Sequence, residues 1–253
     1  MTWLNRISMF SPLDFAGLAF VLVAWVWIGW RIEHPSPTRP SVSILMADFR
    51  RDWMTVMVTR EPRIFDAQLV SNLRQGTAFF ASASMLAIGG GLALMGQADQ
   101  LAGIAGDFIQ AEAPIFVWEA KIIAVLLLLC NAFLKFVWSH RLFGYGSVLM
   151  AAVPNDPADP LVHKRAAQAA ELNIAAARSF NRGMRATYFS LSTCAWLAGS
   201  APLIFATCVT LAVLYRREFA SRSREVLLNT PANHALARNR EEQSNQSADK
   251  LVT

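Results

Sequence analysis

At 253 residues the chain has the length of one or two soluble domains, but 54% hydrophobic and 16% charged residues leave too little charged surface for them. The apolar residues come in blocks of bilayer length, which marks membrane spans rather than buried cores. The net charge of +5 comes from basic residues between those blocks, a placement that sets membrane orientation and gives no support to nucleic-acid binding.

The first block, Leu13 to Trp30, approaches the ~20 residues that cross hydrocarbon. Trp25, Trp27, Trp30 and Arg31 close it as an aromatic belt with no small-residue cleavage site, so it reads as an anchor. Glu33-His34-Pro35-Ser36-Pro37 then stops the helix, because proline has no amide proton and constrains its predecessor. From the capping residue Ser41 to Arg60, Val42, Leu45, Met46, Phe49, Trp53, Val56 and Met57 repeat at helical spacing. Asp48, Arg51, Asp52, Thr55 and Thr59 occupy the opposite face. Periodicity allows two readings: a helix lying in the membrane interface, or one packed on other cytoplasmic helices.

Pro62 suits a first helical position, and that helix is expected to run through Arg74 into a second span, Gly76 to Gly96. Ala83, Ala87 and Gly91 recur there every four residues, which predicts close approach to another helix. The third span, Ile115 to Trp138, holds Glu119, Lys121, Asn131 and Lys135, and its helix is expected to reach about Ala152. An alanine-rich helix starts at Leu161 and meets no breaker until Gly183. The apolar stretch from Ala186 to Tyr215 is long for one crossing and short for two. Gly199-Ser200-Ala201-Pro202 at its middle predicts a hairpin, with glycine ending one helix, serine capping the next and proline in its first turn. A proline-kinked single helix is the alternative.

Charge bears on that choice. Seven arginines lie between the first and second spans, whereas Gln97 to Pro114 carries Asp99, Asp107 and Glu112 and no basic residue. With a hairpin every basic region shares one side and only Arg6 lies on the other. The expected fold is an all-α polytopic transmembrane bundle with cytoplasmic amphipathic helices, five crossings preferred over four. It comprises a periplasmic N-terminal segment 1–12, a membrane domain 13–223 and a disordered cytoplasmic tail 224–253. Spans are expected near 13–30, 76–96, 115–138, 184–199 and 202–216.

Four strings carry a family likeness: Arg60-Glu61-Pro62-Arg63-Ile64-Phe65-Asp66-Ala67-Gln68-Leu69, Lys135-Phe136-Val137-Trp138-Ser139, Phe180-Asn181-Arg182-Gly183-Met184-Arg185 and Leu214-Tyr215-Arg216-Arg217-Glu218-Phe219. From roughly Leu13 to Phe219 the chain resembles the bacterial and plant membrane family called domain of unknown function 599. Pro62, Gly144 and Thr187 depart from its usual pattern. The resemblance implies a multi-pass membrane protein and no particular activity.

Lys135 lies one turn after Asn131 on the same face, and a charge inside hydrocarbon costs at least ~2.5–3.5 kcal/mol. It either snorkels to the headgroups or pairs with Asp66 or Glu61. Arg60, Glu61, Arg63 and Asp66 form a dense charge cluster on the same predicted side, and surface ion pairs at ~0–1 kcal/mol each give a weak stability reason for it. An Asp66–Lys135 contact is therefore expected, joined by Asn131 and Arg182 in a cytoplasmic polar network. Arg178, Arg182 and Arg185 follow helical spacing as one basic stripe, which anchors topology or holds an anionic lipid head. Glu119 and Lys121 point to different faces and read as interface residues.

Cys130, Cys194 and Cys208 sit inside apolar blocks, and neither they nor the four histidines have metal-ligand spacing, so no disulfide framework, metal or cofactor is expected. No GxSxG, HExxH, Walker loop or GxGxxG is present, and Gly89-Gly90-Gly91 reads as a packing feature. The reading ranks a non-enzymatic scaffold or assembly factor of the bacterial inner membrane first. A small transporter using Glu119, Asn131 and Lys135 ranks second, and a lipid-modifying enzyme third. Expected partners are the bilayer with its anionic headgroups and a second copy or another membrane protein.

Overall fold

The computed structural model describes residues 8–97 and 114–229, and these residues are helical with no strand. The acidic connection with Asp99, Asp107 and Glu112, the segment 1–7 and the tail from 230 onward lie outside the described residues. Helix α1 spans Pro12–Glu33, α2 Val42–Met57, α3 Ile64–Met95, α4 Ile115–Ala151, α5 Val162–Cys194, α6 Ser200–Phe219 and α7 Arg222–Leu228.

Local chemistry sets the ends. Ser11 and Asp14 form a reciprocal capping box around Pro12 at the start of α1. Ser41 accepts from the Ile44 amide to cap α2 and donates to the Ile32 carbonyl at 2.8 Å, tying α2 to the end of α1. Helix α3 begins at Ile64, after Pro62 rather than at it, with Arg63 as its N-cap. Its guanidinium holds the Val153 and Pro154 carbonyls beyond α4. Gly183 does not interrupt α5, and a seven-residue helix continues past the predicted start of the disordered tail.

Three helices, α1, α3 and α4, are long and apolar enough to cross a membrane. They point to a membrane protein, and the surface of α3 agrees: only 6% of its apolar window is buried, so the rest needs an apolar solvent. Leu86 of α3, Leu127 of α4 and Phe205 of α6 are among the large apolar side chains that face outward.

At the centre α4 and α5 pack antiparallel along most of their length. Ser190, Ser179 and Ser139 donate across the pair to the carbonyls of Val125, Lys135 and Ala176. Residue numbers rise on one helix as they fall on the other. Small hydroxyl residues let helices approach closely in lipid and satisfy themselves there. On α3, Gly91 faces Leu126, where an added Cβ would come within 2.5 Å of its side chain.

The chain reverses at Gly199, whose φ of 122° suits a residue without a Cβ. Tyr188 on α5 receives a hydrogen bond from Arg217 on α6 at 2.9 Å. One continuous helix would separate that pair by roughly 44 Å at ~1.5 Å per residue. The hairpin expected from Gly199 to Pro202 is therefore present. Its serine acts differently from expectation: Ser200 donates to Asp14 of α1 instead of capping α6.

Candidate functional site

The helix ends cluster at two poles. At one pole, Asp14 of α1 accepts from Trp196 at 2.6 Å and from Ser200. The Lys121 ammonium lies 5.4 Å from the Trp118 ring centre and 5.9 Å from that of Trp196. Lys121 is thus buried among aromatic rings and is no interface residue. Glu119 is half-buried nearby in sequence but joins no ion pair among the described residues.

The other pole gathers the C-terminal ends of α1, α4 and α6 with α2, the start of α3 and the first half of α5. A cavity of about 390 Å³ lies there, enclosed by α1, α2, α3, α4, α5 and α6. Its polar walls carry four arginines, Arg50, Arg178, Arg185 and Arg217, against two carboxylates, Glu33 and Glu218. Ile32, Val42, Leu73, Phe143 and Ile174 supply apolar surface.

Each polar wall has a local cause. Glu33, the last residue of α1, is gripped by Arg182 and Arg185 one turn apart on α5. Glu218 near the end of α6 accepts from the backbone and hydroxyl of Ser43 at 3.1 Å and 3.2 Å. Asn181 donates to the same Ser43 hydroxyl. Arg50 donates to the buried Asn173 and meets no carboxylate. Burial therefore pushes its guanidinium below the ordinary arginine value, with nothing offsetting it. Its neighbour Arg51 shows the opposite, raised by its hydrogen bond to Glu171, with Asp48 adding to it. Arg178 lines the cavity with no hydrogen bond or ion pair among the described residues. Arg217 donates to the Tyr188 hydroxyl, so three cations of this wall, Arg50, Arg178 and Arg217, lack an anion among the described residues.

The predicted polar network divides. Asp66 is fully buried, but its partners are Arg60 and the Trp53 indole at 2.7 Å. Arg63 serves backbone carbonyls, and Glu61 is exposed with no ion pair among the described residues. Lys135 and Asn131 are half-buried, and neither touches Asp66 by hydrogen bond or ion pair. Lys135 takes part through its backbone carbonyl, which binds Ser179. Arg182 joins Glu33 instead. The Arg178–Arg182–Arg185 stripe is split by function: two arginines neutralise Glu33, and Arg178 faces the cavity. None of Glu119, Asn131 and Lys135 lines that cavity.

The missed residues are Glu33, Ser43, Arg50, Trp53, Asn173 and Glu218. Their sequence signal is weak, because each finds its partner on another helix, more than 100 positions away except for Trp53.

The familiar strings now have physical roles. Phe80 and Phe136 stack, and Phe180 meets the first edge-on and the second tilted, all ring centres 5.5 Å apart. A Cβ on Gly183 would stand 2.7 Å from Phe136. Phe219 packs in the core beneath Arg31, and Glu218 meets Ser43. The family model described as protein of unknown function, DUF599, matches residues 16–223. The chain belongs to the DUF599 family. No curated protein and no solved structure matches it, so the family name brings no activity with it. Two of the four strings, through Phe180, Asn181, Arg185, Arg217 and Glu218, line the cavity.

Proposed function

We propose that this DUF599 protein is a five-crossing, non-enzymatic scaffold of the cell membrane whose cavity seats an anionic, phosphate-bearing amphiphile. The observation that carries this reading is the cavity wall, with four arginines against two carboxylates beside apolar surface. Arg50, held by the neutral Asn173, and Arg178 supply guanidinium groups that no carboxylate neutralises, whose planar fork matches a phosphate bidentately. The apolar side chains accept the glycerol or upper acyl portion of the same molecule. Binding rather than conversion is favoured because the carboxylates on this wall are already held, Glu33 by two arginines and Glu218 by Ser43; neither is free to move a proton.

In this reading α5 and α6 cross as the fourth and fifth spans, and the pole bearing the cavity is cytoplasmic. Native mass spectrometry of the purified protein tests the binding. The parent should retain anionic phospholipid, and Arg50→Gln with Arg178→Gln should lose at least ~90% of it while melting normally. Equal retention by parent and double variant would remove the cavity from consideration as the binding site.

A further inference from the structure

We infer that the cavity fills sideways, through a portal between α3 and the α1–α2 junction that admits a glycerophospholipid headgroup from the inner leaflet. This rests on the cavity reading above and adds the route and the source. Helix α3 contributes Asn72, Leu73 and Gly76 to one rim, and α1 and α2 contribute Ile32, Val42 and Met46 to the other. Along this stretch α3 packs extensively only on α4, not on α1 or α2.

The gap is closed above and below. Above it, Trp25 of α1 and Phe80 of α3 pack on the same Ala132–Phe136–Ala186 cluster. Below it, Trp53 of α2 donates to Asp66 of α3 at 2.7 Å, and Met54 and Val70 share a buried cluster. Between these closures a Cβ on Gly76 would meet no atom within 4 Å. Met46 and Asn72 are exposed on the rims. Gly76 marks the start of the apolar stretch of α3, so the opening sits where headgroups give way to acyl chains. A lipid can then place its phosphate near Arg50 and Arg178 while its chains stay in the bilayer. That arrangement keeps acyl carbon out of water. A water-soluble phosphate has no need of such an opening.

The test uses the full chain in nanodiscs of phosphatidylcholine with phosphatidylglycerol. Native mass spectrometry follows replacement of bound phosphatidylglycerol by its deuterated form supplied in vesicles, with glycerol phosphate added from water as a separate arm. Gly76→Trp places an indole in the portal from a position where a Cβ meets no neighbour, and Asn72→Trp does so one turn away should the first variant fold poorly. Portal entry predicts that each slows lipid exchange at least tenfold and that glycerol phosphate displaces no lipid. Exchange at the parent rate in a folded variant overturns the portal and leaves the cavity reading intact. Displacement by glycerol phosphate overturns the lipid source. Absence of bound anionic lipid from the parent overturns both readings.

Discussion

Glu33 shows how a single side chain can tie two helices together. It ends α1, lies in the cavity wall and neutralises Arg182 and Arg185 of α5, of which Arg185 is 7% exposed. Removing its charge leaves a buried cation uncompensated, which typically costs ~3–5 kcal/mol; the half-exposed Arg182 recovers some solvation. Glu33→Gln is therefore expected to lower detergent stability by about 3 kcal/mol. Combining it with Arg185→Gln should cost less than the sum of the two single changes. Strict additivity in thermal melts would mean that the pair contributes nothing through its contact. Gly183 is the steric counterpart. A methyl group there meets the Phe136 ring at 2.7 Å, inside an aromatic cluster with no slack. Gly183→Ala should destabilise by ~1–3 kcal/mol, as overpacked cores do, and Phe136→Leu should restore part of the loss. A second-site change that makes matters worse would point to a backbone role for the glycine.

At the scale of elements, α2 and α3 show what periodicity conveys and what it leaves open. The apolar positions of α2 were expected to form one face, but the helix has three. Ala47, Met54 and Met57 are buried, Met46, Phe49 and Val56 are exposed, and Asp48 and Arg51 form ion pairs outside. The packing reading thus holds for the buried face, and the exposed apolar face is the one the interface reading would place against the membrane. On α3 the stripe of Ala83, Ala87 and Gly91, expected to meet a helix of the same chain or of a second copy, does not pack as a unit within the chain. Four-residue steps drift ~40° each on a 3.6-residue helix, so over two steps the stripe turns away from its neighbour. The contact face instead runs through Thr77, Ser84 and Gly91, seven apart, while Ala83 and Ala87 are exposed. Gly91→Leu should accordingly clash with Leu126 and lower the melting temperature, whereas Ala83→Leu should leave it unchanged. The idea of a Gly91 contact is lost if both variants melt like the parent.

For the whole molecule, the order of contacts fixes relative directions. Asp14 meets Ser200, Gly17 meets Leu203 and Arg31 meets Phe219, so α1 and α6 run parallel. Helices α4 and α5 run antiparallel through their serine contacts, and Arg63 at the start of α3 meets Val153 beyond the end of α4. Five helices therefore alternate between the two poles, and in the proposed topology each is a crossing. Reporter fusions after Gln97, Ala158 and Ser223 should report outside, inside and inside. An outside signal at Ser223 would require the C-terminal hairpin to enter and leave the membrane differently.

The amino-acid order by itself determined the features that rest on local or bulk physics. Apolar blocks of bilayer length, a capping serine at 41, a proline-rich stop after Glu33 and a turn at Gly199 need no distant partner to act, and family membership was legible in four short strings. The polar network was not. Lys135, Asp66 and Arg182 are each charged and placed near one pole, and sequence offers no measure of which side chain faces which. Tertiary structure decided that Asp66 takes Trp53 and Arg60, that Arg182 and Arg185 take Glu33, and that Arg50 takes Asn173 while Arg178 lines the cavity. The physical reason is that pairing depends on the rotation of each helix about its own axis. That rotation is set by how side chains such as Gly183 and Phe136 interlock across helices, not by the residues that end up paired.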